Sequence, residues 1–194
     1  MSNTKGKSNN TAMLGLFCAI IIALQTISYF VKIGAFNLSL VLIPIVIGAY
    51  LFGTRFSTIL GTVFGFIVAL CSVLGLDGGG LILFQTSPIL TVLVCILKGT
   101  LAGLAAGAVI KLLKNKNEYL AVICAAIVTP VVNTGVFIAV TTLFIKDGLA
   151  KLSGGTEFIY ILITSVILVN FLFELALNVV IAPSLLRISK ALKK

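Results

Sequence analysis

The chain has no histidine and no tryptophan, and only five acidic residues, four cysteines and four prolines in 194 positions. Each scarcity removes a class of function. Without histidine there is no imidazole for a zinc site, a Ser/His/Asp triad or a proton shuttle near neutral pH. Five scattered carboxylates form no acid cluster for a divalent metal and leave little for acid–base chemistry. No Gly-x-x-x-x-Gly-Lys-Ser/Thr loop occurs, so the chain has no phosphate cradle of its own for ATP hydrolysis. Cys18, Cys71, Cys95 and Cys124 stand singly in apolar runs with no CxxC. That placement argues for small packing residues rather than disulfides or metal ligands. Neither an enzyme nor a bound metal or cofactor is expected.

What the chain has is apolar sequence. It is 60% hydrophobic and 10% charged, with a mean hydropathy of +1.25, whereas soluble domains carry about 25% charged residues. A run of roughly 20 apolar residues crosses a bilayer as a helix. The runs predict an all-α membrane protein with six transmembrane helices, at 13–33, 38–53, 56–75, 88–112, 119–145 and 158–186. Residues 1–12 then form an N-terminal tail, 13–187 one membrane domain, and 188–194 a basic tail. The first run reaches Val31, beyond the roughly 7–15 residue core of a signal peptide, and is read as a retained helix.

The net charge of +9 is a topology signal rather than a nucleic-acid footprint. If the N-terminus is inside, the inner segments hold Lys5, Lys7, Arg55, Lys111, Lys114, Lys116, Arg187, Lys190, Lys193 and Lys194 against the single acid Glu118. The outer connections hold Lys32, Lys146 and Lys151 against Asp77, Asp147 and Glu157. Ten basic residues inside against three outside place both termini in the cytoplasm by the positive-inside rule, with anionic lipid as a contact.

Only Lys98 and Glu174 are charged in the interior of the apolar runs, the other charges falling in the connections or at the ends. Intramembrane charges are costly and usually mark a site or pathway. At 1.5 Å rise per residue, Lys98 lies about 15 Å, and Asn133 and Asn170 each about 18 Å, below the outer ends of their helices. Three helices therefore bring polar groups to one level. Asn170, Glu174 and Asn178 share a helix face at i, i+4, i+8, and Gln25 comes from the outer half of the first span. One reading is a buried Lys98–Glu174 pair with amides stitching helices together. The other is an outward-facing pocket in which Lys98 takes a carboxylate or phosphate, supported by Glu174 and the amides.

Small residues recur at every fourth position: Gly15, Ala19 and Ala23 in the first span, Gly61 and Gly65 in the third, Gly99, Gly103 and Gly107 in the fourth. Such stripes let helices approach closely in a membrane. The fourth span is expected at the centre of the bundle, while the first stripe suits either internal packing or another membrane protein. Leu76-Asp77-Gly78-Gly79-Gly80 and Asp147–Thr156 read as glycine-bearing outer loops suited to a lid, and Pro130 is expected to kink or unwind the fifth span. No internal repeat marks a self-sufficient transporter.

Several features together resemble one family. Pro44–Gly53 (PIVIGAYLFG) with Thr54-Arg55, the Gly61-Thr62-Val63-Phe64-Gly65 segment, and Leu83-Phe84-Gln85-Thr86-Ser87-Pro88-Ile89 leading into Leu97–Leu104 are similar to helices two to four of the substrate-binding S components of energy-coupling factor (ECF) vitamin transporters. The resemblance implies a bacterial cytoplasmic-membrane protein that binds a vitamin from outside. A membrane T component and two ATPase subunits would supply the energy, and no nucleic acid would be involved. The family's Ala-x3-Ala docking motif falls on Ala19 and Ala23, with Gly15 extending it. The candidate substrate-binding residues remain those of the depth argument, Lys98, Asn133, Asn170, Glu174 and Gln25, together with Gln85.

Pantothenate is the first expectation for the ligand, because a lysine with several amides suits a small acid bearing hydroxyl and amide groups and the Leu-Phe-Gln-Thr-Ser-Pro stretch resembles pantothenate-type members. Riboflavin is the second. The absence of tryptophan argues against a stacked flat ring, although 13 phenylalanines weaken that. The competing classes are a stand-alone secondary transporter or channel, a membrane-embedded lipid transferase, and a ligand-free bundle.

Overall fold

In the computed structural model, residues 3–28, 30, 32–33, 36–37, 40–144 and 158–191 are described, with side chains characterised over 11–28, 40–144 and 169–184 and at residues 30 and 187. They form seven helices: α1 (Asn3–Ser28), α2 (Leu42–Phe52), α3 (Thr54–Val73), α4 (Gly78–Thr86), α5 (Pro88–Leu113), α6 (Glu118–Phe144) and α7 (Phe158–Ala191). A two-residue antiparallel ribbon, β1 (Lys32–Ile33) and β2 (Phe36–Asn37), lies between α1 and α2, with Lys32 opposite Asn37 and Ile33 opposite Phe36. The described residues are therefore all-α apart from this ribbon.

Among the described residues, Thr11–Ser28, Thr54–Val73, Pro88–Leu113 and Glu118–Phe144 are long and apolar enough to cross a bilayer. Leu42–Phe52 and Val169–Ser184 are shorter apolar stretches. Among the described residues four long spans and two shorter apolar helices thus stand out. The first helix starts at Asn3 and stops at Ser28 rather than running from 13 to 33. The second is cut to 11 residues, about 16 Å at the standard helical rise. Its end is fixed by Gly53, whose φ of 88° and ψ of −175° turn the chain directly into α3 in a backbone region that favours glycine.

The expected outer loop at 76–80 is largely helix. Gly75, at φ 75°, ends α3. Its N–H donates to Ser72 O and that of Leu76 to Cys71 O, the paired bonds of a glycine-terminated helix. Gly78 then opens α4, a turn after α3 closes. Gly79 and Gly80 are buried there rather than forming a loose tether. A side chain at 80 would overlap the Ser72 hydroxyl, so glycine serves close packing. The other glycine loop, Asp147–Thr156, lies outside the described residues. Pro88 occupies the first position of α5, where a missing N–H costs nothing. Pro130 neither breaks nor unwinds α6, which stays helical from Glu118 to Phe144.

The centre is the α3–α5 pair, the most extensively packed in the molecule. A Cβ on Gly61 would strike the Gly99 carbonyl, one on Gly65 the Cys95 carbonyl, and one on Gly103 the Ser57 carbonyl. The bare backbones therefore touch. Ser57 Oγ donates to Gly103 O at 2.8 Å, and the hydroxyls of Thr62 and Thr100 meet at 2.9 Å. At the other end of these helices, Lys114 Nζ donates to Tyr50 O at 2.7 Å and lies 4.1 Å from the Tyr50 ring centroid, joining the α5–α6 turn to the end of α2. Phe17, Phe52 and Phe56 interlock α1, α2 and α3, with centroids 4.4–6.0 Å apart. Outward-facing Leu16, Ile20, Phe66, Leu93, Leu143 and Leu172 give the surface a large exposed apolar area, as a lipid-facing bundle requires.

Candidate functional site

Each helix around the cavity contributes residues at helical spacing. From α3 come Phe64, Val68 and Ser72 (i, i+4, i+8). From α5 come Thr91, Cys95 and Lys98, and from α6 Asn133, Thr134 and Phe137. From α7 come Asn170, Phe171 and Glu174. Gln25 on α1, Asp77 before α4, and Gly80 and Leu83 on α4 complete the lining. The volume is about 90 Å³, several times the roughly 10–15 Å³ that one water needs by the same measure.

The depth argument thus leads to one place. Lys98, Asn133, Asn170, Glu174 and Gln25 line the same cavity. Asn133, Asn170, Glu174 and Gln25 are all at least nine-tenths buried, while Lys98 is half-buried. The contact described for the Lys98 ammonium is the face of Phe137, 4.9 Å from its centroid, an arrangement that stabilises a cation away from water. Asn178 follows Glu174 by one turn but stays outside the lining, its amide donating to Glu174 O at 2.7 Å.

Gln85 is the exception. Leu83 faces the cavity, and two residues on is about 200° around a helix, so Gln85 is exposed and outside the lining. In the other direction, sequence reasoning passed over Asp77, which it placed in a loop, and Thr91, Ser72, Thr134, Phe137 and Phe171. Thr91 was within reach, since it shares the face of Cys95 and Lys98. Phe137 likewise stands one turn from Asn133.

The chemistry of the lining favours hydrogen-bond acceptance. Buried Asn133 Oδ1, Asn170 Oδ1 and Thr91 Oγ1 make no hydrogen bond among the described residues. Buried polar atoms are nearly always satisfied, and exceptions need a reason. Among the described residues no cluster of histidine, cysteine or carboxylate side chains is arranged for a metal.

The small-residue stripe on α1 faces away from the bundle. Gly15, Ala19 and Ala23 are exposed, and a Cβ on Gly15 would meet nothing within 4 Å. Among the described residues the stripe is therefore left uncovered.

No curated protein matches the chain. The family model of the ECF transporter substrate-specific component matches residues 10–186. With a multi-pass helical bundle around a polar cavity, that match places the chain in the family of ECF transporter substrate-specific components, transporter subunits rather than enzymes.

Proposed function

We propose that this chain is the solute-capturing subunit of an ATP-driven importer in a bacterial cytoplasmic membrane, with pantothenate its first candidate ligand and riboflavin its second. The observation that carries the reading is the convergence of Lys98, Asn133, Asn170, Glu174 and Gln25, from four helices, on one cavity. Interhelical hydrogen bonds in membranes contribute only about 0.6 kcal/mol on average, a weak return for so many buried polar groups. In this reading Lys98 receives the anionic end of the solute, Glu174 supports it, and the amides bind hydroxyl and amide groups. Six crossings with both termini inside complete the picture, and α4 lies at the outer mouth. A T component docks on Gly15, Ala19 and Ala23, and two ATPase subunits drive release.

The test is to purify the protein and identify by mass spectrometry any solute that accompanies it, then to titrate pantothenate. Lys98→Met is expected to lower pantothenate affinity by about tenfold or more, the effect of losing one hydrogen bond to a charged group. Unchanged affinity in a correctly inserted protein removes Lys98 from the site. Solute movement into liposomes without ATPase subunits overturns the importer reading in favour of a secondary transporter.

A further inference from the structure

Asp77 is the cavity-lining acid that the reading above leaves without a role. It stands at the N-cap of α4, at φ −106° and ψ 108°. There an aspartate ordinarily accepts from a backbone N–H of the first helical turn. It makes no such capping bond and lines the cavity instead. The local packing is built around this placement. Gly80 is buried, and a Cβ there would lie 2.8 Å from Asp77 Oδ2 as well as overlapping the Ser72 hydroxyl. The carboxylate occupies space that a side chain at 80 would otherwise fill.

A second, independent observation lies on the other walls. Thr91, Asn133 and Asn170 are 1%, 5% and 7% exposed, and each presents a buried oxygen that accepts no hydrogen bond among the described residues. The lining thus has surplus capacity to accept. A solute with an acidic end for Lys98 and several O–H or N–H donors elsewhere matches both the ammonium and these acceptors.

We propose that Asp77 is a specificity-determining residue of this cavity, accepting hydrogen bonds from the hydroxyl- or amine-bearing part of the solute while Lys98 takes its acidic end. The inference rests on the solute-binding reading and adds a second, donor-seeking pole to it. It follows that removing donors from a ligand hurts binding through Asp77, and removing its acid hurts binding through Lys98.

Two probes separate these poles: pantothenate, and N-(3,3-dimethylbutanoyl)-β-alanine, which keeps the carboxylate and amide but lacks both hydroxyls. Affinities are measured on the full chain in detergent or nanodiscs, with thermal unfolding as the folding control. The wild-type protein is expected to prefer pantothenate by about tenfold or more. Asp77→Asn lowers pantothenate affinity by a similar factor and leaves the analogue nearly unchanged, so the preference collapses. Lys98→Met weakens both probes together. If Asp77→Asn gives no folded protein, Asp77→Ser, a favourable N-cap residue, is read in the same way. An unchanged preference, or equal loss for both probes, overturns the role of Asp77 and leaves the solute-binding reading intact. If the wild-type protein binds neither probe, the pantothenate assignment falls and this inference with it.

Discussion

Asn133 and Asn170 hold buried amide oxygens that accept no hydrogen bond among the described residues, and each such atom costs about 1–3 kcal/mol of stability. Amides whose task is to stitch helices would be satisfied by their neighbours. A donor that enters the cavity would satisfy these two. Asn178, outside the lining, donates its amide nitrogen to Glu174 O, while its Oδ1 likewise makes no hydrogen bond among the described residues. Replacing Asn133 or Asn170 with leucine, close in volume and without polar atoms, is therefore expected to leave the melting temperature of the solute-free protein unchanged or raised. Pantothenate affinity should fall by about tenfold or more. A lower melting temperature in the solute-free protein assigns the amides a structural role instead. Both asparagines, with Lys98, were legible in the sequence because helical rise is fixed and depth follows from residue number. Asp77 was not, since Asp-Gly-Gly-Gly reads as a turn and only the packing of Gly80 on Ser72 makes it part of the wall.

At the scale of helices, the same small-residue spacing has two different outcomes. Gly61 and Gly65 on α3 meet Gly99 and Gly103 on α5 backbone to backbone, and the resulting rigid pair presents Phe64, Val68, Thr91 and Lys98 to the cavity. On α1 the stripe is left exposed among the described residues. The period was readable in the sequence, but the facing partner was not, because small-xxx-small records only that something approaches closely. The length of α2 was equally hidden. Its apolar composition matches that of a spanning helix, and the left-handed Gly53 rather than hydropathy ends it. Since Ala19 and Ala23 are exposed, tryptophan at either position disturbs no internal contact. Ala19→Trp or Ala23→Trp is expected to abolish co-purification with the T component while pantothenate binding stays within about twofold. Complex formation that survives both substitutions places the docking surface elsewhere.

At the scale of the whole molecule, the fold brings together four of the basic residues that the sequence assigned to the inner side, Arg55, Lys111, Lys114 and Lys116. Lys114, in the turn after α5, reaches the Tyr50 carbonyl near the end of α2, so the α2–α3 and α5–α6 turns lie at one end of the bundle. Arg55, Lys111 and Lys116 belong to these same turns or the helix ends beside them. Asp77 belongs to the opposite end of α3. A bundle with its basic residues gathered at one end inserts with that end in the cytoplasm, where they also meet anionic lipid. In the proposed orientation α4, which forms part of the cavity wall, lies at the far end and faces outside. Asn115, exposed in the α5–α6 turn, reports this directly. In a background with Cys18, Cys71, Cys95 and Cys124 replaced, Asn115→Cys is expected to react with a membrane-impermeant maleimide in inverted vesicles and to stay unlabelled in intact right-side-out ones. Labelling from the outer face would reverse the topology. It would turn the Asp77 end of the cavity toward the cytoplasm, where a subunit that captures solute from outside has no use for it.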